Sequence, residues 1–157
     1  MIMTIRRAEE RDIPTICTLL EDVLTIHHEG RPDIFRQGCK KYTEKELISL
    51  ISDDKRPIFV AENATRVQGY AFCIIKEVHG DNILHDMKTL YIDDLCVDEN
   101  SRGMHIGAAL YEHVKAYAKE IGCYNLTLNV WECNPGAKRF YEKLGLVPQK
   151  TVMETIL

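Results

Sequence analysis

Between Met87 and Val97 the apolar side chains change phase midway. Leu90 and Ile92 share one pleat phase, Leu95 and Val97 share the other, and the slip falls at Asp93-Asp94. Successive side chains of a strand point to opposite faces. A strand buried on one face therefore keeps such a set inside only by inserting an extra residue, a β-bulge. The spacing predicts one strand with a bulge at Asp93-Asp94, splayed from its neighbour, a feature that collects beside active sites. Burial on both faces would strip the phase of meaning, but two adjacent carboxylates argue against full burial.

The segments around this strand read as mixed α/β. Ile2 to Arg6 is strand-like. Ile13, Ile16, Leu19, Leu20, Val23, Leu24 and His27 recur at three- and four-residue steps, one face of an amphipathic helix that Gly30-Arg31-Pro32 ends. A loop leads to a second helix, N-capped by Thr43 with Glu46 three residues on, and running to Ser52. Residues 57–62 and 67–76 form a hairpin about Asn63-Ala64-Thr65-Arg66, and His79-Gly80-Asp81-Asn82 makes the next turn. After the bulged strand, Arg102-Gly103 opens a helix carrying Ile106, Leu110, Val114, Tyr117 and Ile121, closed by Gly122. Residues 124–131 alternate as a half-buried strand, Pro135 begins a short helix that Gly145 ends, and residues 147–157 read as a terminal strand.

A chain of 157 residues suits one domain, taken as residues 1–157. Its 45% hydrophobic and 28% charged residues exclude a disordered chain or a membrane bundle. The net charge of −4 comes without a basic stripe, so no nucleic-acid partner is expected. No apolar run suits a membrane span or a signal peptide, so no membrane partner is expected. Cys17, Cys39, Cys73, Cys96, Cys123 and Cys133 form no C-x-x-C, and the histidines form no metal-binding cluster. Neither a metal nor a disulfide framework is expected. Buried or half-buried free thiols fit a reducing compartment, and the expected location is the cytoplasm.

The strongest chemical signal runs from Leu95 to Leu110: strand, polar turn, then a glycine-containing helix start. The free N–H groups of a first helical turn lie at the positive end of the helix dipole, and Gly103 and Gly107 let a ligand approach the backbone. That arrangement suits an anion such as a pyrophosphate. Neither G-x-x-x-x-G-K-S/T nor G-x-G-x-x-G is present, and an ordinary strand-to-helix turn would also account for the two glycines.

Arg102-Gly103-Met104-His105-Ile106-Gly107 resembles the R/Q-x-x-G-x-G/A turn with which the GNAT superfamily of N-acetyltransferases grips the pyrophosphate of acetyl-CoA. Arg102 and Gly107 match, and His105 replaces the middle glycine, which requires an ordinary helical φ at His105. The stretch Asn134 to Leu146 is similar to the family's N-x-x-A-x-x-F/L-Y-x-K/R-x-G-F/L helix at every defining position. The resemblance implies a mixed, mostly antiparallel central sheet with a splayed, bulged strand and flanking helices. It implies acetyl-CoA as co-substrate, without a metal, and transfer of the acetyl group to a primary amine in a ternary complex. Leu95, Cys96 and Val97 would run beside the pantetheine arm, and Arg102, Gly103, Met104, His105, Ile106, Gly107 and Ala108 would hold the pyrophosphate. Asn134, Ala137 and Phe140 complete the expected cofactor set.

The chemistry has an ammonium to deprotonate, an oxyanion to stabilise and a leaving thiolate to protonate. Tyrosine suits the last task, because unperturbed Tyr and Cys pKa values differ by about 1.5. Tyr141 matches the family's general acid. Asp93 matches the carboxylate that some members use as base, and Asp94, Glu132 and a water chain remain open alternatives. Alternation would turn only one of Asp93 and Asp94 to the cleft. The acceptor, a small-molecule or peptide amine, is expected near His27, His28, Phe35 and Asp94, whereas Trp131 and Cys133 are expected to pack. The apolar stretch Thr151 to Leu157 could pair across a homodimer. Two other readings are a CoA-binding regulatory module without chemistry and an enzyme using another acyl-CoA.

Overall fold

The structure, a computed structural model, describes residues 2–38, 40–64 and 66–157. Met1, Cys39 and Thr65, which enter the readings above, lie outside the described residues. Strand β1 (Met3–Arg7) is followed by helices α1 (Ile13–Gly30) and α2 (Glu44–Ile51), then by β2 (Ile58–Asn63), β3 (Arg66–Val78) and β4 (Met87–Val97). Helix α3 (Ile106–Glu120), β5 (Asn125–Leu128) and α4 (Pro135–Lys143) complete the order. The five strands form one sheet in chain order, antiparallel except for the parallel pair β4–β5.

Period-two alternation sends the apolar side chains to both faces of this sheet. Ile58, Val60, Tyr70, Phe72 and Cys96 meet Ile16, Leu20 and Leu47 of α1 and α2. Phe59, Ala61, Ala71, Cys73, Leu90 and Ile92 meet Ile106, Leu110 and Val114 of α3 on the other side. Gly69 permits close approach on the α3 side: a Cβ there would stand 2.9 Å from the Cys96 carbonyl oxygen and 3.1 Å from Leu110. The buried carboxylate of Asp12 is held by both terminal nitrogens of Arg6, at 2.8 and 3.0 Å. That fork fixes the passage from β1 into α1.

The bulge lies where the phase slip places it. Phe72 pairs with Asp94 and Cys73 with Ile92, so Asp93 is the extra residue. Leu90 and Ile92 before it, and Leu95 and Val97 after it, all face α3. β5 follows β4 only from Thr89↔Asn125 to Ile92↔Leu128. Its ladder stops one residue short of the bulge, because β4 bends away there.

Three expectations are corrected. The half-buried strand is not residues 124–131 but Asn125–Leu128, for the reason just given. Helix α3 begins at Ile106 rather than at Arg102-Gly103, since Gly103 (φ 85°) and His105 (φ 59°) take left-handed backbone that a right-handed helix cannot contain. Residues 147–157 form no strand: their β-prone sequence finds no ladder partner within the chain.

Helix α2 is set by the expected capping box, Thr43 Oγ1 accepting from Glu46 N–H at 3.2 Å and Glu46 Oε1 from Thr43 N–H at 3.4 Å. Lys41 and Tyr42 immediately precede this cap. Thr43→Ala should cost about 1 kcal/mol, read as a lower urea midpoint at unchanged slope.

Candidate active site

The gap between β4 and β5 opens into a cleft of about 540 Å³. Leu95 and Val97 of β4 line one side, and Asn134, Gly136, Ala137, Phe140 and Tyr141 line the other. Ser101, Arg102, Gly103, His105, Ile106, Gly107 and Ala108 line it from the turn into α3. The second wall is built locally. Asn134 N-caps α4, its Oδ1 accepting from Ala137 N–H at 3.2 Å, and Pro135 occupies the first turn. Gly107 sits between the walls: a Cβ there would lie 3.0 Å from the Phe140 ring and 3.6 Å from Val97. The first N–H groups of α3 have no partner within the helix, so the turn presents donors and a positive dipole end to the cleft. That chemistry fits a pyrophosphate, and the apolar channel above it fits an extended acyl carrier.

Two residues of the expected cofactor set stand apart. The Cys96 side chain lies on the opposite face, in the α1/α2 core, because the pleat alternates through Leu95, Cys96 and Val97. Met104 points outward, 54% exposed. His105 departs from expectation in its backbone: its φ of 59° is left-handed, not helical. The glycine it replaces would take that conformation at no steric cost. Ser101 and Gly136 also line the cleft and were missed, although both lie inside the matched motifs.

The bulge sends both carboxylates to hydroxyl partners on the α1/α2 side, Tyr42 and Tyr70, whereas alternation was expected to turn one of them to the cleft; neither lines it. Asp93 Oδ2 accepts from the Tyr42 hydroxyl at 2.8 Å and pairs with Lys41 Nζ at 3.0 Å. Asp94 Oδ2 accepts from the Tyr70 hydroxyl at 2.9 Å. Phe72 joins the two pairs, stacking on Tyr42 with centroids 5.4 Å apart and meeting Tyr70 edge-on at 4.9 Å. Burial pushes the Asp94 carboxyl up to about 6, against the pull of Lys41 and of the Tyr70 hydrogen bond. Burial also raises the Tyr141 hydroxyl, and the Asp94 charge adds to that rise. Glu132 stands in solvent, its side chain 83% exposed and paired with Lys138 at 3.2 Å.

Beyond the carboxylates, His27 and Phe35 rings lie 4.9 Å apart, and Trp131 meets Phe35 edge-on at 5.3 Å. His28 is engaged with the Phe35 carbonyl oxygen at 2.8 Å, which holds the loop. Burial and then the Lys41 charge lower the His27 pKa. Lys41 thus acts on Asp93, Asp94 and His27 together. Lys41, Tyr42 and Tyr70 were missed, because their sequence context marks them only as loop and strand residues. Trp131, expected to pack, remains 37% exposed beside Phe35. Cys133 is exposed rather than buried. Among the described residues no group of three or more His, Cys, Asp or Glu could hold a metal, and no helix is long and apolar enough to cross a membrane.

The architecture is thus a mixed α/β sheet splayed beyond Ile92, with the start of α3 facing the opening. Residues 20–146 match the acetyltransferase (GNAT) family, and the chain belongs to that family of N-acetyltransferase enzymes. Its members use acetyl-CoA as co-substrate. A probable glucosamine 6-phosphate N-acetyltransferase of Oryza sativa subsp. japonica is 27% identical over 142 residues, covering 82% of this chain and 81% of that protein. A mutant of the BH1408 protein from Bacillus halodurans superposes with a TM-score of 0.94 at 30% identity, covering 100% of this chain and 99% of that one. Glucosamine-6-phosphate N-acetyltransferase from Arabidopsis thaliana shares the fold, with a TM-score of 0.72 at 23% identity over 99% of each chain.

Burying Asp94 has a measurable consequence. Its pKa is about 6 in the fold against the ordinary 3.8. The folded state therefore binds more protons between those values, and stability falls as pH rises from about 4 through about 6. Asp94→Asn keeps an acceptor for Tyr70 and removes the buried charge. Thermal unfolding should show the variant more stable than the parent at pH 8, with the difference vanishing near pH 4. A parent that is equally stable at both pH values relative to the variant would place Asp94 in water.

Proposed function

We propose that the protein transfers the acetyl group of acetyl-CoA to a primary amine by direct attack in a ternary complex. The observation that carries this reading is the cleft at the splay, where Tyr141 stands across from Leu95 and Val97, its hydroxyl kept protonated by burial with the Asp94 charge adding to the effect. Acetyl-CoA supplies an activated thioester. The N–H groups from Gly103 to Ala108 hold its phosphates, Arg102 adds positive charge, and the exposed β4 edge at Leu95 and Val97 hydrogen-bonds its amide-containing arm.

On the other face Asp94 accepts the proton of the acceptor ammonium. A carboxylate near 6 is mostly ionised at neutral pH yet more basic than an ordinary one. Asp93, held by Lys41 and Tyr42, completes the carboxylate pair and draws the ammonium inward. A backbone N–H at the bulge faces the oxyanion. The Tyr141 hydroxyl, fully protonated at neutral pH, gives its proton to the departing sulfur, and the second proton that the nitrogen sheds as the amide forms returns to the phenolate through water. The acceptor enters past His27, Phe35 and Trp131. A small-molecule amine suits this aromatic mouth, and the activity for which the Oryza sativa relative is named makes amino sugars the first class to try. The reading takes residues 1–157 as one domain working in the cytoplasm, where its free thiols stay reduced.

The test is thiol release from acetyl-CoA across a panel of amines that includes glucosamine 6-phosphate, unphosphorylated amino sugars and polyamines. Amine-dependent release is expected. In Tyr141→Phe the ring still packs, so kcat should fall by roughly 10²-fold, the low end of general-acid effects because an open cleft admits water. Acetyl-CoA that binds without turnover by any amine would instead make the chain a CoA-binding module.

The phosphate turn is tested separately. Gly107→Glu puts a like charge at the anion site and a side chain into the Phe140 ring. Calorimetry should show acetyl-CoA affinity lowered by at least 10-fold, roughly the value of one lost charge-assisted contact. Unchanged affinity in the folded variant would move the phosphates elsewhere.

A further inference from the structure

The chain carries a primary amine of its own at the carboxylate pair. Lys41 Nζ stands 3.0 Å from Asp93 Oδ2, on the segment just before the Thr43 cap. Its charge acts on Asp94 on one side and on the His27 ring on the other. The amine therefore lies between the aromatic mouth, where His27 meets Phe35, and Asp94, whose neighbour Leu95 lines the cleft. From Asp93 to Leu95 is two positions, about 7 Å of extended strand. The Lys41 side chain is 39% exposed, and its ammonium ends a flexible four-carbon stem that covers such a distance by bond rotation.

Its neighbour in sequence behaves differently. Lys40, equally open to solvent at 42%, pairs with Glu21 at 3.5 Å and not with the carboxylates of β4. Among the described residues no other lysine forms an ion pair with Asp93 or Asp94. The pair that is to draw in an acceptor ammonium thus already holds one, and an outside amine must compete with it for Asp93. A tethered amine has the advantage in that contest, because it is present at an effective concentration that a free amine does not reach.

We infer that Lys41 is itself an acetyl acceptor: with acetyl-CoA in the cleft and no other amine present, the chain acetylates its own Lys41 Nζ. The inference rests on the acetyl-transfer reading above. The Lys41 ammonium gives one proton to Asp93 Oδ2, which it already touches. The freed lone pair on Nζ forms the N–C bond at the thioester carbonyl, the C–S bond breaks, and Tyr141 protonates the sulfur. The second proton shed by the nitrogen returns to the Tyr141 phenolate through water, and Asp93 passes its proton to solvent. The products are an amide at Lys41 and the free thiol of coenzyme A. Because the amide is neutral, the modified side chain no longer pairs with Asp93, and that carboxylate is released to an incoming ammonium.

The whole protein incubated with acetyl-CoA and no added amine should release thiol and gain one acetyl group per chain, which peptide mass spectrometry should place on Lys41. The rate per chain should hold over a roughly tenfold dilution of the protein, since donor and acceptor sit in one molecule. Lys40 should lag at least about tenfold behind despite its equal exposure, because only the site catalyses the transfer. Lys41→Arg keeps a cation for Asp93 and should abolish the amine-free thiol release. Three results on the unaltered protein overturn the inference: Lys41 left unmodified by a protein that acetylates any amine of the panel, Lys40 labelled as fast as Lys41, or a rate per chain that falls on dilution. These need no variant, so a misfolded Lys41→Arg does not shield it. Acetyl-CoA that passes its acetyl group neither to Lys41 nor to any amine would remove the transferase reading itself, and this inference with it.

Discussion

One inserted residue in one strand organises this molecule. Asp93 has no partner on β3, and everything chemical follows from the accommodation of that residue. The ladder to β5 ends at Ile92↔Leu128. Beyond it β4 has an unpaired edge, and the opening is where Leu95 and Val97 face Phe140 and Tyr141 across a cleft. The insertion also resets the pleat, so that Leu95 and Val97 return to the α3 side while Asp94 joins Asp93 on the α1/α2 side. A regular strand could offer a backbone edge or a carboxylate pair at this point, but not both on opposite faces of a single segment.

That division explains what could be read from the sequence. The donor side is built from contiguous segments, Leu95 to Leu110 and Asn134 to Leu146, whose turn and helix-cap chemistry is local, so its residues appear as motifs. The bulge was legible for the same reason: hydrophobic phase is a property of neighbours in one strand. Side-chain direction at the bulge was not, because a rule of strict alternation fails at the residue that breaks it, and the expected split of Asp93 and Asp94 failed accordingly; Cys96 does obey the alternation and entered the cofactor set only as part of a contiguous motif. The acceptor side is assembled from α1, two loops, β3 and β4. Lys41, Tyr42, Tyr70 and Trp131 carry no local pattern that marks them, and only the packing of Phe72 between Tyr42 and Tyr70 brings the carboxylate partners together. The ends of the sheet were misread where an element depends on its partner: β5 stops because β4 turns away, and residues 147–157 are strand-like but have no strand beside them within the chain.

His105 shows how much local strain the turn tolerates. A non-glycine residue in left-handed backbone costs on the order of 1 kcal/mol. It sits at the N-cap of α3, the fifteen-residue helix whose Ile106, Leu110 and Val114 anchor one whole face of the sheet. A helix so firmly packed can impose the conformation on its cap. The consequence is an imidazole, rather than a bare glycine, at the rim of the cleft, while the free N–H groups of the first turn stay where the helix start puts them.

The last step concerns the two proton carriers in the proposed reaction. Burial above all, and then the charge of Asp94, raise the pKa of Tyr141. Before transfer this keeps the phenol protonated but makes it a weak acid. In the proposed reaction, once Asp94 takes the proton of the acceptor amine its charge is gone, and the electrostatic part of the rise is removed while the larger part, from burial, remains. In that reading the base assists the acid by acting. Burial makes this coupling effective, since in a low-dielectric site the interaction between the two groups is screened far less than in water. The same burial destabilises the ionised fold, so the site trades stability for proton transfer at a single residue.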